Sequence, residues 1–309
     1  MEPTRSQQLD SRTLAAFGAM VAIGGMNFVA VRLSDRGLAP FFGAGLRFFS
    51  ASFLLCLIVA FMRIPWPTRG QLKGTLLYGL LGFGASYAFA YLALVTLSSG
   101  VAAVLMGSVP LITLFLAVAH GVERFRGRGL LGAVVAIAGI AVLVGVPSRA
   151  HIQIGSLLLM LGAAVSAAES SVVIKRYPTG HPMATNAVAM GFGGVLLLGT
   201  SLIFGENWAL PSGSATWASL IYLVVVGSIG LFWLFLFTIK RWAASRVSYL
   251  FVLTPIVASL AGAVLAGDAL TVSMVAGGLI VLVGVYVGAL STPKAHRLAP
   301  TMREEGAVA

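Results

Sequence analysis

Ten apolar runs, each about as long as a helix that crosses a bilayer, divide this chain, and no other feature constrains its fold as much. They fall at 13–31, 40–62, 73–94, 98–119, 129–147, 154–174, 182–204, 217–239, 247–266 and 271–291. In lipid the backbone has no water to bond, so such a run must satisfy its N–H and C=O groups within itself, as a helix. Charged residues are 9% of the 309 and hydrophobic residues 59%, whereas a soluble domain carries about 25% charged residues. The expected fold class is therefore an all-α integral membrane protein with ten transmembrane helices. The run at 13–31 is too long for the apolar core of a secretory signal and reads as a retained first helix. The lone Cys56 lies inside a run, reads as packing, and leaves no intrachain disulfide.

The net charge of +11 does not point to nucleic acid, because the bases sit in short loops between the runs. Of the 20 Lys and Arg, only Arg32, Arg36 and Arg149 fall on the side away from the termini, and Arg47 lies within a span; all the others share the side of the termini. Loops rich in Lys and Arg stay in the cytoplasm. Both termini are thus expected there, in a multi-pass protein of the cell's inner membrane.

The chain also repeats itself. At a shift of 145 residues Pro110 falls on Pro255, Glu123 on Asp268, Gly82 on Gly227, Gly132 on Gly277 and Gly139 on Gly284. Five spans per copy is an odd number, so the second copy enters the membrane inverted. The expected organisation is a first five-helix repeat over 1–147, an inverted second over 148–292, and a cytoplasmic tail over 293–309. Equivalent loops agree: "VTLSSGV" (95–101) carries no charge where its copy "KRWAASR" (240–246) carries three bases, and "ERFRGR" (123–128) is basic where "DALTVS" (268–273) is not.

A proline in a helix removes one hydrogen bond and clashes with the turn before it. Pro110 and Pro255 are read as a symmetric pair of kinks or hinges near midplane, with the hydroxyls of Ser108 and Thr254 placed to bond the freed carbonyls. Inverted-repeat transporters bind substrate at the repeat interface, beside interrupted helices.

At these residues the chain resembles the drug/metabolite transporter superfamily, and within it the EamA-type exporters. The resemblance spans about 13–291. It rests on "GGMNFVAVR" closing the first helix, "GLRFF" (45–49), "SSGVAAVL" leading to Pro110, the glycine-rich fifth and tenth helices, and their echo in "AASRVSYLFVLTP" (243–255) and "LAGDALT" (265–271). The chain is most similar to the YddG-type aromatic amino-acid exporters. Where the family has Gly-Glu after the kinked helix, this chain has Gly121-Val122-Glu123 and Gly267-Asp268, which puts the acid's capping role in doubt.

Few charged side chains lie inside the spans. Arg47 is either a ligand for a substrate carboxylate or a structural group capping carbonyls of the other half. Glu169, the one acid well inside a span, could bind a substrate amine or carry a proton, or it could pair with Arg176 two turns on. Asn27 falls opposite Ser170 at an offset of 143. Tyr78, Tyr87, Tyr91, Trp233 and Tyr249 lie within spans and suit a cavity for an aromatic or apolar solute, or ordinary packing. Met106, with Met20 and Met26, is a further candidate lining residue.

His120, His151, His181 and His296 make no metal-ligand pair with one another, and no phosphate-binding loop of the form G-x-x-x-x-G-K-[ST] occurs. No metal, cofactor, ATP or enzyme chemistry is expected. The expected partners are the lipid bilayer and a small-molecule substrate. The expected function is secondary export of small metabolites, aromatic or other large apolar amino acids above all, by alternating access through a cavity between the repeats. Downhill facilitated diffusion is expected, with proton antiport of other drugs or metabolites as the alternative. A non-transporting membrane enzyme or scaffold is the alternative of another class.

Overall fold

The computed structural model describes residues 10–97, 99–144, 153–211, 213–266 and 272–290. In chain order the helices are α1 (Ser11–Ser34), α2 (Pro40–Phe61), α3 (Arg69–Leu94), α4 (Ser99–Met106 and Val109–Ala119), α5 (Gly127–Val144), α6 (Ile154–Arg176), α7 (Pro182–Ile203), α8 (Ser214–Ile239), α9 (Ala244–Val247 and Leu250–Ala266) and α10 (Val272–Val285, continued by Tyr286–Leu290). There is no strand among the described residues. Eight of these helices contain a segment long and apolar enough to cross a membrane, and the other two, α5 and α10, are shorter apolar helices. Large apolar side chains such as Phe28, Phe53, Phe61, Val195, Leu202 and Ile221 stand on the outer surface, which suits a lipid solvent rather than water.

Local chemistry sets the helix ends. Asp10 caps α1, its carboxylate accepting from Arg12 N at 2.8 Å and from Thr13 Oγ1 at 2.7 Å. Thr68 and Gln71 form a capping box at the start of α3. Pro40 and Pro182 open α2 and α7 at positions where a missing N–H leaves nothing unbonded. Gly121 and Gly205 end α4 and α7 with φ of 68° and 65°, a conformation that costs glycine least.

The loops sort onto two ends of the bundle. At one end Lys240 donates to Gly180 O, Glu123 reaches Ser245, and Lys73 stands over the Tyr177 ring. Burial first, and then the adjacent Arg241, push the Lys240 ammonium below its ordinary value. At the other end Glu206 accepts from Phe41 N, Phe42 N and Ser201 Oγ at 3.1, 2.8 and 2.7 Å, capping α2, while Trp208 stacks on Phe42.

Helix partners follow a rule. α1 packs on α8 and α9, and α6 packs on α3 and α4. α3 packs on α7, and α8 on α2. α2 pairs with α7 and α5 with α10. Moving each helix five places along the order turns this set of contacts into itself.

The α5–α10 seam shows why. A Cβ on Gly139 would lie 2.6 Å from Val281 N and 3.0 Å from Gly277 O; a Cβ on Gly284 would lie 2.6 Å from Ala136 N and 2.7 Å from Gly132 O. Gly139 thus faces Gly277, the sequence equivalent of Gly132, while Gly132 faces Gly284, the equivalent of Gly139. The same patch meets itself reversed, as a two-fold contact does. Only glycine allows the two backbones to come this close.

The two matched prolines differ in the fold. The chain breaks before Pro110, at Gly107-Ser108, so Pro110 sits in the first turn of Val109–Ala119. There its lacking N–H removes no helical bond. Ser108 Oγ donates to Leu105 O at 2.6 Å. Pro255 lies inside Leu250–Ala266, and the turn in α9 falls earlier, at Ser248-Tyr249. The carbonyl freed by Pro255 is that of Phe251, and Thr254 Oγ1 lies 3.5 Å from it. The irregularities that do match are π-helical segments, Gly79–Ala85 in α3 and Val225–Gly230 in α8. Such segments gather at functional sites.

Candidate functional site

The polar interior is built on these two segments. Gly227 O in α8 accepts from Asn27 Nδ2 of α1 at 3.1 Å and from Arg47 Nη2 of α2 at 2.8 Å. Arg47 Nε donates to Ser228 Oγ at 2.7 Å, and its guanidinium stands 4.9 Å from the centre of the Phe48 ring. Only 4% of Arg47 is exposed. A π-helical turn leaves carbonyls without their usual donors, and Arg47 supplies two fixed N–H groups to the turn. Glycine at 227 leaves room for the Asn27 amide, which a Cβ there would displace. Asn27 Oδ1 is buried with no donor.

The counterpart in α3 is simpler. Gly82 faces Ser170 of α6, whose Cβ and Oγ would both lie 3.3 Å from a Cβ on Gly82. Ser86 Oγ donates to Gly82 O at 2.9 Å, and Ser170 Oγ to Ala167 O at 2.8 Å. Asn27 and Ser170, matched in the sequence, therefore each face the glycine of a π segment in the other half.

An aromatic cluster fills the space between. Phe48 makes edge contacts with Phe83, Tyr87 and Phe232, with ring centres 5.0, 4.8 and 6.3 Å away. Tyr78 sits edge-on to Phe83 and stacks at 6.4 Å on Phe235. It is 1% exposed, and its hydroxyl has no partner. Tyr91 meets Phe41 edge-on at 5.9 Å.

Glu169 lies apart from this cluster. It lines a cavity of ≈ 110 Å³ with Leu77 and Leu81 of α3, His120 at the end of α4, and Val172 and Arg176 of α6. Glu169 Oε1 is 3.3 Å from His120 Nε2, and Oε2 is buried without a partner. His120 Nδ1 is 2.8 Å from Leu116 O; a carbonyl only accepts, so Nδ1 carries the hydrogen. Arg176, the neighbour the sequence offered, is not in contact with Glu169; His120 is.

The other sequence candidates are dispersed. Trp233 is 39% exposed and lies in an outer groove beside Arg12 and Phe237. Tyr249 is buried, and its hydroxyl donates to Gly129 O at 3.0 Å, tying α9 to the start of α5. Met106 packs beside Ala164 and Ala168. Ser108 and Pro110 lie at the break in α4, while Thr254 and Pro255 lie within the helix that follows the turn in α9. Glu123 does cap a helix, but one in the other half: its carboxylate accepts from Ser245 N at 3.2 Å and from Ser245 Oγ at 2.5 Å. Gly267-Asp268 lies outside the described residues. Among the described residues no group of three or more metal-ligating side chains comes together.

Sequence reasoning did not single out His120 as a partner for Glu169, nor Phe48, Phe83 and Phe232 as a cluster. The signal for His120 was Gly121: a glycine ending a helix puts the residue before it at the cap, with its ring folded back over the last turn.

The EamA-like transporter family model matches residues 12–145 and again residues 154–289. A transporter of Escherichia coli, the uncharacterized inner membrane transporter YedA, is 30% identical over 300 residues, covering 94% of this chain and 97% of its own. A probable amino-acid metabolite efflux pump of Salmonella typhimurium is 28% identical over 282 residues, covering 87% of this chain and 91% of its own. An uncharacterized transporter of Archaeoglobus fulgidus is 28% identical over 271 residues, 86% and 95% of the two chains. One crystal structure superposes with a TM-score of 0.75, covering 91% of this chain and 97% of that one at 19% identity, a likeness of fold. Matched twice along its length, and built of apolar helices with a polar network at their centre, this chain belongs to the EamA-like transporter family and is a multi-pass membrane transporter.

Proposed function

We propose that this protein is a secondary exporter of small metabolites, chiefly aromatic and other large apolar amino acids, working by alternating access. Its ten helices form two inverted repeats, residues 1–147 and 148–292, with both termini in the cytoplasm. The observation that carries this reading is the exchange of helix partners at a step of five. Two halves that pack on each other by one rule can rock between two arrangements of similar energy, which is what alternating access needs. An odd number of helices per half makes the repeat inverted. The bias of Lys and Arg toward the termini supports the orientation.

The substrate reading has separate support. The Salmonella relative bears an amino-acid efflux name. Among the described residues the cation against the aromatic cluster is Arg47, and its Nε and Nη2 are engaged by α8. A sugar phosphate would find little to neutralise it there. The aromatic-exporter likeness fits the rings of Phe48, Phe83 and Phe232. Downhill exit of an accumulated amino acid needs no coupling ion.

Ser108, at the break in α4, tests the mechanism. In a Cys56→Ser background, Ser108→Cys is expected to react with membrane-impermeant thiol reagents from each side of the membrane, and substrate is expected to change the balance between the two sides. A cysteine that reacts from neither side in any condition contradicts alternating access and favours a scaffold.

A further inference from the structure

The cavity at Glu169 holds two opposite charges that do not touch. Glu169 and Arg176 stand seven residues apart on α6, two turns, so their Cα atoms are about 10 Å apart on one face. Ion pairs among the described residues join Glu169 to His120 and Arg126 to Glu123, and none joins Glu169 to Arg176. Glu169 Oε1 lies 3.3 Å from Nε2 of His120, whose Nδ1 is fixed to Leu116 O, so Nε2 donates to the carboxylate when the ring carries its second proton. That leaves Oε2, buried and without a donor, as the carboxylate's free acceptor. A buried acceptor left unpaired is costly, so a ligand that brings a donor is favoured there.

We propose that Glu169 and Arg176 form a loading subsite for the head group of a zwitterionic α-amino acid. The proposal rests on the transporter reading above and names the chemistry that this end of the path selects. An ammonium takes Oε2 of Glu169, and the carboxylate of the same molecule takes the Arg176 guanidinium. With hydrogen bonds of about 2.8 Å at each end and a head group about 3 Å across, the bridge spans roughly 8–9 Å, within the reach of both side chains. Leu77, Leu81 and Val172 wall the space between. At ≈ 110 Å³ the cavity has room for a head group, and a large side chain must lie outside it.

The subsite discriminates by charge. A carboxylate alone leaves Oε2 unpaired and adds a second negative charge beside it; an amine alone forgoes the attraction of the Arg176 guanidinium, which is exposed and then answered by water. Residues of both halves build it, Leu77, Leu81 and His120 from the first and Glu169, Val172 and Arg176 from the second. Any rocking between the halves therefore opens or closes it.

The test is equilibrium binding to the full-length protein in nanodiscs, with three probes of one side chain: L-phenylalanine, phenethylamine, which lacks the carboxylate, and 3-phenylpropionate, which lacks the ammonium. Wild type is expected to bind L-phenylalanine at least about tenfold more tightly than either analogue. Glu169→Gln is expected to weaken L-phenylalanine by about tenfold and to leave 3-phenylpropionate unchanged. Arg176→Gln is expected to weaken L-phenylalanine similarly and to leave phenethylamine unchanged. Glu169→Asp, which keeps the charge on a shorter stem, is expected to fall between wild type and Glu169→Gln, and it carries the test if Glu169→Gln does not fold. Variants that bind L-phenylalanine as wild type does overturn the subsite and leave the transporter reading standing. Variants that lose all three probes equally also overturn it, since that is the mark of a structural role. A wild type that binds none of the probes overturns the subsite together with the amino-acid reading.

Discussion

Gly277→Ala is expected to lower the thermal midpoint of the purified protein sharply, while Gly278→Ala, one residue on, leaves it nearly unchanged. A Cβ at Gly277 would fall 2.5 Å from the Leu143 Cα and 2.6 Å from its Cβ. Those atoms belong to a packed helix and cannot turn aside as a side-chain tip can, so α5 and α10 must separate along their seam. At Gly278 nothing lies within 4 Å. Overpacking costs about 1–3 kcal/mol and occasionally more. Separating two helices that meet over most of their length belongs at the upper end. Alanine also favours a helix over glycine, so propensity works in favour of both variants and only the contact tells them apart. Thermal unfolding in one detergent measures both. Equal midpoints for the two variants would show that the seam is not as close as described.

Arg47→Met is the second large effect. It keeps an unbranched apolar stem but removes two donors from the π segment of α8, those to Gly227 O and Ser228 Oγ. Hydrogen bonds from a charged donor are worth about 1.5–3 kcal/mol each, and here no water replaces them. Stability and transport are expected to fall together. Arg47→Lys is expected to recover only part of either, because an ammonium cannot reproduce the planar fork. Asn27→Ala should cost less, and the pair should not be additive, since both side chains bond the same carbonyl. A thermal midpoint and a transport rate on each variant settle the role of the charge. If Arg47→Met abolishes transport with the midpoint intact, Arg47 is a substrate ligand and not the clamp described here.

Of the seam and the polar network, the sequence made legible which residues recur at one offset, and not what those residues meet. Matched glycines at one shift told which helices repeat, and the fold sets them crosswise. The offset that joined Asn27 to Ser170 likewise put each against the other half's π segment. Partners within a half were harder to read. An apolar helix in lipid is hydrophobic on every face, so its sequence does not say which face turns inward. That is why Trp233, read as a cavity residue, stands in an outer groove, and why Phe48 was passed over. The π segments carry no proline to announce them. Pro110 announced a kink in a helix, and the structure puts the break before it, at Gly107-Ser108. The side chain that holds Glu169 came from the end of α4, a position fixed by how Gly121 closes that helix and not by any spacing to Glu169.

Amino-acid export, the proposed activity, is tested most directly by counterflow of labelled L-phenylalanine in proteoliposomes, with unlabelled competitors outside. Saturable exchange is expected, with tryptophan and leucine competing and sugar phosphates not. Absence of exchange with any amino acid, together with saturable exchange of an anionic metabolite by the same preparation, would contradict it.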